Sequence, residues 1–147
     1  MIKPIYILCC QSQSVDATTG AISHFNVINT LEISSPKPLG SPPPSFLIGG
    51  PGWLNIIASA TWMGEVGQEQ HDHEISIQDP SGKVLFRAED KFTFSKRFQR
   101  FDCNIQGTPF NTSGTWLIES KVRPFGEAEW CRQSYPIIVI VDEQQAN

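Results

Sequence analysis

The residues of this chain best suited to proton transfer, nucleophilic attack or metal ligation are its 3 histidines and 4 cysteines. They gather most densely in Glu69-Gln70-His71-Asp72-His73-Glu74. On a strand His71 and His73 project to the same side, because side chains alternate with period two, and two imidazoles so placed can share a metal. Glu69, or a residue of another strand, would supply a third ligand. Two histidines alone are a weak metal signal, and the stretch also reads as the polar, solvated start of an edge strand. Nucleophilic catalysis needs a thiol or hydroxyl beside a base that a third group orients. His24 could reach Cys10 or Ser12 across a hairpin joining the first two strands. No nucleophile elbow or glycine-rich oxyanion turn accompanies them. Cys9 and Cys10 are neighbours, so on a strand they face opposite sides, and both are expected to pack as small hydrophobes. The expectation is a protein that is not an enzyme. A metal-dependent or thiol enzyme using His71 and His73, or Cys10, is the alternative.

Charge and cysteine usage narrow the partners. Eleven Lys plus Arg against 15 Asp plus Glu give a formal net charge of −4. A phosphate backbone is bound through concentrated cationic side chains, so no nucleic-acid partner is expected. The basic residues Lys91, Lys96, Arg97 and Arg100 are flanked by Glu89, Asp90 and Asp102 and read as a solvated strand and turn. No C-x-x-C pair is present, which argues against structural zinc, and Cys9, Cys10, Cys103 and Cys131 read as free thiols in a reducing compartment. The apolar run 5–10 is shorter than the ~7–15 residues of a secretion signal's core. No later run approaches the roughly 20 apolar residues of a membrane helix. A cytoplasmic protein with no membrane partner and no cofactor is expected. Gly49-Gly50-Pro51-Gly52 lacks the Lys-Ser/Thr of a phosphate-binding loop and leads into a strand pattern. Trp53 and Trp130 fall near strand starts beside turns, where a half-exposed indole can anchor a protein contact. With Phe46 they are the candidate partner-binding residues.

Strands must position all of these side chains, because period two dominates. In Glu74-Ile75-Ser76-Ile77-Gln78 apolar and polar residues alternate strictly. Asp79-Pro80-Ser81-Gly82 follows as a turn, and Val84, Phe86 and Ala88 share a face of the return strand. Phe25, Val27, Leu31 and Ile33 share another face, expected to point inward. So do Leu54, Ile56, Ala58, Ala60 and Trp62. Phe92 with Phe94, Phe101 with Cys103 and Ile105, and Trp116 with Ile118 and Val122 continue the pattern. Residues 137–141 are apolar on both sides and read as a buried closing strand. Strand one is also apolar on both sides, with Ile5 and Ile7 against Tyr6 and Leu8. It is therefore either central in a covered sheet or covered by a second subunit, which leaves self-association open. No helical stripe free of Gly and Pro appears.

The 147 residues make one domain, and their 18% charged content lies below the roughly 25% usual for soluble domains. About eight or nine strands at regular spacing point to an all-β fold, a single antiparallel β-sandwich of immunoglobulin-like outline. The domain spans 1–142, followed by a polar tail, 143–147. Residues 34–52 carry six prolines and read as a long, partly polyproline II connection, in preference to a ligand for an adaptor groove. Asn111-Thr112-Ser113-Gly114-Thr115-Trp116 is similar to the corner before a late strand of immunoglobulin-like sandwiches, with Trp116 where a hydrogen-bonding Tyr is commoner.

Leu8-Cys9-Cys10, Val15-Asp16, Gly20, Ser23 and Phe25-Asn26-Val27-Ile28 resemble the opening half of a group of small uncharacterised bacterial β-sandwich proteins. That opening is a short first strand, an Asp-x-x-x-Gly hairpin and a second strand. Phe110, Gly114-Thr115-Trp116 and Tyr135-Pro136-Ile137-Ile138-Val139 occupy comparable later places. The proline-rich segment and the His-Asp-His stretch depart from the group. The resemblance covers most of the chain and implies a fold and a cytoplasmic location only. The function expected is a protein-binding or assembly module, or a structural homo-oligomer subunit.

Overall fold

Alternation along the chain becomes nine strands in the computed structural model, which describes residues 1–37 and 53–145. They are β1 (Lys3–Val15), β2 (Ile22–Val27), β3 (Thr30–Lys37), β4 (Trp53–Met63), β5 (Gln70–Gln78), β6 (Val84–Thr93), β7 (Phe98–Pro109), β8 (Gly114–Pro124) and β9 (Cys131–Gln145). No helix occurs among the described residues. Four strands form one sheet in the order β2-β1-β4-β7, and five form the other in the order β3-β9-β8-β5-β6. Phe92, expected on a separate strand from Phe86 and Ala88, continues the same strand β6.

Neighbouring strands are antiparallel with one exception, which corrects the expectation of a purely antiparallel fold. β3 and β9 run parallel, from Thr30 opposite Ile138 to Lys37 opposite Gln145. The cause is the short crossing from β2 to β3. The Ile28 N–H donates to the Cys9 carbonyl at 2.8 Å in one sheet, and the Ile138 N–H donates to the Asn29 carbonyl at 2.9 Å in the other. The pairing carries strand backbone through 34–37 and 143–145, which the sequence reading placed in the connection and the tail.

Turn chemistry sets the hairpins. Asp16 Oδ1 accepts the N–H groups of Thr18 and Thr19 at 2.8 and 2.7 Å, ahead of Gly20 at φ 71°. Asp79 Oδ1 accepts the N–H groups of Ser81 and Lys83 at 2.9 and 3.0 Å, with Gly82 at φ 86°. These carboxylates satisfy donors that a tight turn leaves unpaired. The Trp116 Nε1–H donates to the Thr112 carbonyl at 2.9 Å, so the indole ties this corner to the backbone in place of a phenol.

The inner faces of the two sheets meet in one interior. Cys9, Ile56, Ala58 and Ile105 from the four-stranded sheet pack on Ile75, Ile77, Trp116, Ile118, Ile137 and Val139 from the five-stranded one. Ala60, Trp62, Phe94 and Val122 form a second cluster towards one end. Each large side chain buried there contributes about 1.5–3 kcal/mol of transfer free energy.

Two expected inward faces are corrected. Phe25 and Val27 are 49% and 50% exposed. β1 pairs with β4 only as far as Cys10 opposite Ile57, and from Ser12 to Val15 its described partner is β2 alone. The hairpin therefore projects as a two-stranded ribbon, and alternation there does not deliver burial. In β9, Ile137 and Val139 are buried, whereas Ile138 and Ile140 are 49% and 46% exposed. Apolar residues on both sides thus marked an interior strand covered on one face.

Candidate functional site

β5 carries the histidine cluster, and it is not the edge strand expected: it lies between β8 and β6. His71 and His73 share a face, as period two requires, but that face is the inner one, and they are only 5% and 4% exposed. The His71 Nδ1 lies 3.0 Å from the Glu69 carbonyl, which can only accept, so Nδ1 carries the proton. Its ring meets Phe94 edge-on, with centroids 5.0 Å apart. His73 stacks on Phe101 at 3.7 Å and 13°. The His73 Nε2 lies 3.0 Å from the Ser120 hydroxyl, which the Trp62 Nε1–H also reaches at 2.9 Å. With Trp62 donating, the hydroxyl hydrogen is free to go to His73, which suits a neutral ring. Burial pushes the His73 pKa down to about 4, overriding the pull of Asp90 and Glu74. The histidines are thus built into the inter-sheet packing. The His71 Nε2 is 4.0 Å from Glu69 Oε2, and among the described residues no three His, Cys, Asp or Glu side chains gather where they could hold a metal.

The intervening residues face outward and meet charges on both neighbours. Asp72 lies opposite Arg123 of β8 and Lys91 of β6, and Glu74 lies opposite Lys121 of β8. Arg123 Nε donates to Asp72 Oδ2 at 3.1 Å. Glu74 Oε1 is 2.8 Å from Lys121 Nζ and 3.5 Å from Arg87 Nε. The Glu74 and Lys121 side chains are 8% and 13% exposed, so this pair is well withdrawn from water although it sits on an outer face. Pairing and charge-assisted hydrogen bonding make such withdrawal tolerable.

Trp130 provides part of the cover. It precedes β9, after a turn in which the Phe125 N–H donates to the Gln70 carbonyl at 2.9 Å and the Glu127 N–H to the Pro124 carbonyl at 3.1 Å. That turn lays the indole against β8, with Arg123 Cζ 4.2 Å and Lys121 Nζ 4.8 Å from the ring centroid. Lys91 Nζ stands 4.3 Å from the centroid of Phe125. Cations so placed are attracted by the ring quadrupole, which fixes the aromatic plane.

The half-buried indole forms a wall of two grooves. One, about 630 Å³, runs between Trp130, Phe125, Arg123, Lys91, Asp72 and Glu89. The other, about 330 Å³, is lined by Trp130, His71, Glu69, Glu127, Glu129 and Cys131 among others. Three residues singled out from sequence, Trp130, His71 and Glu69, therefore meet in one place, and His73 borders the larger groove. Phe46 lies outside the described residues, and Trp53 is described through its backbone alone. Arg123, Lys121 and Phe125 escaped the sequence reading as site residues, while Lys91 was read as part of a solvated strand and turn and Asp72 only as a member of the histidine cluster. Their signal was the opposed charge of Asp72-x-Glu74 and Lys121-x-Arg123, legible only once β5 and β8 are known to pair.

The possible nucleophile lies elsewhere. Cys9 and Cys10 occupy opposite sides of β1, and both are fully buried. Cys10 Sγ does approach His24, at 3.7 Å from Nδ1. Burial first, and then the Asp102 charge, raise the Cys10 pKa, so the thiol is held neutral. Asp102 accepts the Ser59 hydroxyl and the Arg100 Nε–H, both at 2.7 Å.

Comparison of the chain with protein-family models finds no match, and comparison with curated proteins finds none.

Proposed function

We propose that the chain is a protein-binding module of immunoglobulin-like sandwich outline, not an enzyme, and that the grooves flanking Trp130 receive an extended segment of a partner. The observation carrying this reading is the indole itself, held by two cations while it forms a wall of grooves of about 630 and 330 Å³. Half-exposed tryptophan beside arginine is the side-chain chemistry that dominates protein contacts. The outline draws support from the sheet order: β9-β8-β5-β6 corresponds to a G-F-C-C′ sheet and β1-β4-β7 to A-B-E, with Trp116 at the corner entering the F-like strand. The four free thiols fit a reducing, cytoplasmic setting.

Selection of random peptides displayed on phage tests the reading. Enriched peptides are expected to lose binding about tenfold or more against Trp130→Ala, the scale of a modest hot spot. No enrichment, or enrichment indifferent to Trp130, ends the proposal. A second reading, a thiol enzyme on Cys10, draws on the 3.7 Å approach to His24. A thiolate nucleophile needs a lowered pKa, and burial and Asp102 act in the opposite direction.

A further inference from the structure

The net charge of −4 is not spread evenly over the molecule. Four glutamates, Glu65, Glu69, Glu127 and Glu129, line the smaller groove beside Trp130, and no lysine or arginine does. In the larger groove Asp72, Glu89 and Asp90 stand against Lys91 and Arg123, again an excess of negative charge. The cations on the indole do not offset the glutamates, because Arg123 is paired with Asp72 and Lys121 with Glu74. Glu65 is met by the Met1 ammonium at 3.4 Å, which leaves the exposed Glu69, Glu127 and Glu129.

Carboxylates alone would be an ordinary solvated surface, and His71 is what distinguishes this one. The residue is 5% exposed and its Nδ1 donates to the Glu69 carbonyl, so Nε2 carries the lone pair of the neutral ring. Nε2 receives no hydrogen bond among the described residues, since the Glu69 carboxylate, with Oε2 4.0 Å away, can only accept. Nor is the atom sealed in. Among the described residues the only fully enclosed side-chain N or O without a partner is Gln13 Oε1. The space onto which Nε2 opens is therefore the groove that His71 lines. An acceptor on a nearly buried ring, with no donor of the protein's own, is relieved by a donor arriving from outside.

Granted the function proposed above, on which this rests, we infer that the segment received beside Trp130 is basic. One of its lysine or arginine side chains enters the smaller groove and donates to His71 Nε2 and Glu69 Oε2, with Glu127 and Glu129 around it. A cationic head carries several donors and no acceptor, so a single one serves both acceptors across their 4.0 Å separation. Its aliphatic stem suits the apolar part of the lining, Ile2, Pro124 and the indole, and the ring itself attracts a cation. A segment bearing carboxylates would meet like charge, and one bearing hydroxyls or amides would bring a donor without compensating the glutamates. A metal ion is not the cation called for, because no three ligating side chains gather among the described residues.

Nuclear magnetic resonance of isotope-labelled protein, titrated with three pools of synthetic peptides, tests this. The pools share random uncharged positions and differ only at fixed positions, which hold lysine and arginine, glutamate, or alanine. The basic pool is expected to shift the Trp130 indole N–H and to move the His71 Nε2 nitrogen upfield, as accepting a hydrogen bond does. The other two pools are expected to need about tenfold higher concentration or more. Glu127→Gln with Glu129→Gln, both on exposed side chains, is expected to weaken binding of the basic pool about fivefold and to reduce its salt dependence. Glu32→Gln with Asp142→Asn removes the same charge where β3 pairs with the later part of β9, and is expected to change nothing. Glutamate or alanine peptides that shift Trp130 as strongly as basic ones overturn the inference and leave the groove as a binding site. Silence of Trp130 towards all three pools overturns both. Basic binding that leaves His71 Nε2 unmoved, or that both double variants weaken alike, overturns the inference alone.

Discussion

At the residue scale, His73 couples the interior to pH. Its folded-state pKa of about 4 lies below the ordinary value of 6.5 because the ring is buried between Phe101 and the Trp62–Ser120 pair. Between those two pH values the unfolded chain binds the proton and the folded chain does not. The stabilisation is therefore complete above pH 6.5 and is lost progressively as pH falls towards 4. At about 1.4 kcal/mol per unit this contribution is about 3 kcal/mol. Denaturant unfolding at pH 7 and pH 5 is expected to show about 2 kcal/mol of that loss, and His73→Gln is expected to flatten it. Equal slopes for the two proteins would refute the assignment. Asp16 and Asp79 do not confuse the reading. Turn hydrogen bonds lower their pKa values, so they lose stabilisation only as pH falls through the carboxylate range. The cysteines give a second prediction. Cys9 is pushed up to about 12 by burial and Cys10 is raised, and neither is exposed to solvent. Mass spectrometry after brief iodoacetamide treatment is expected to find label on the half-buried Cys103 and Cys131, and on Cys9 and Cys10 only after denaturation. Prompt native labelling of Cys10 would revive the thiol reading.

At the scale of single elements, two glycines separate backbone freedom from packing. Gly82 sits at φ 86° with nothing within 4 Å of the position a Cβ would take. Gly114, at the start of β8, sits at φ 135°, and its Cβ would lie 2.8 Å from Cγ of Pro80 in the β5–β6 turn. Gly82→Ala is expected to cost about 1 kcal/mol of backbone strain alone. Gly114→Ala adds a clash with a rigid ring, and about 2–4 kcal/mol is expected. Similar melting temperatures for the two variants would mean that the turn does not bear on β8. Elements were also where the sequence was most and least legible. Asp79-Pro80-Ser81-Gly82 announced its hairpin because every donor it satisfies is local. The faces of Ile56 to Trp62 and Trp116 to Val122 were readable because both sheets continue over them. Phe25, Val27, Ile138 and Ile140 alternate just as regularly, yet alternation records that a face is apolar and says nothing of whether another layer reaches it. The histidines misled for the same reason. A polar sequence looked solvated, while Phe92, Phe94 and Phe101, distant along the chain, supply its cover.

At the scale of the whole molecule, most neighbours in the sheets are distant in sequence. β1–β2, β5–β6 and β8–β9 are hairpins, whereas β1–β4, β4–β7, β5–β8 and β3–β9 join separate parts of the chain. Loop closure must precede each of those contacts, which places folding in the millisecond-to-second range of non-local β proteins. The last strand carries the largest share of this debt. β9 is flanked by β3 and β8 and supplies the buried Ile137 and Val139, so the five-stranded sheet stays divided until β9 is present. A chain ending at residue 130 keeps eight strands, yet it strands β3 without a neighbour and opens the core over Trp116 and Ile118. Its loss is the burial of two large aliphatic side chains, about 3–6 kcal/mol, plus two ladders, which together are comparable with the roughly 5–15 kcal/mol that a domain has in total. A chain ending at residue 142 keeps those side chains and gives up only the pairing of Ser35 to Lys37 with Glu143 to Gln145. Near-ultraviolet circular dichroism and denaturant titration are expected to show cooperative unfolding for the 142-residue chain and none for the 130-residue chain. A native-like transition in the shorter chain would mean that the four-stranded sheet and the β5–β6–β8 set hold together without the parallel closure, and the interior described above would then not be a single cooperative unit.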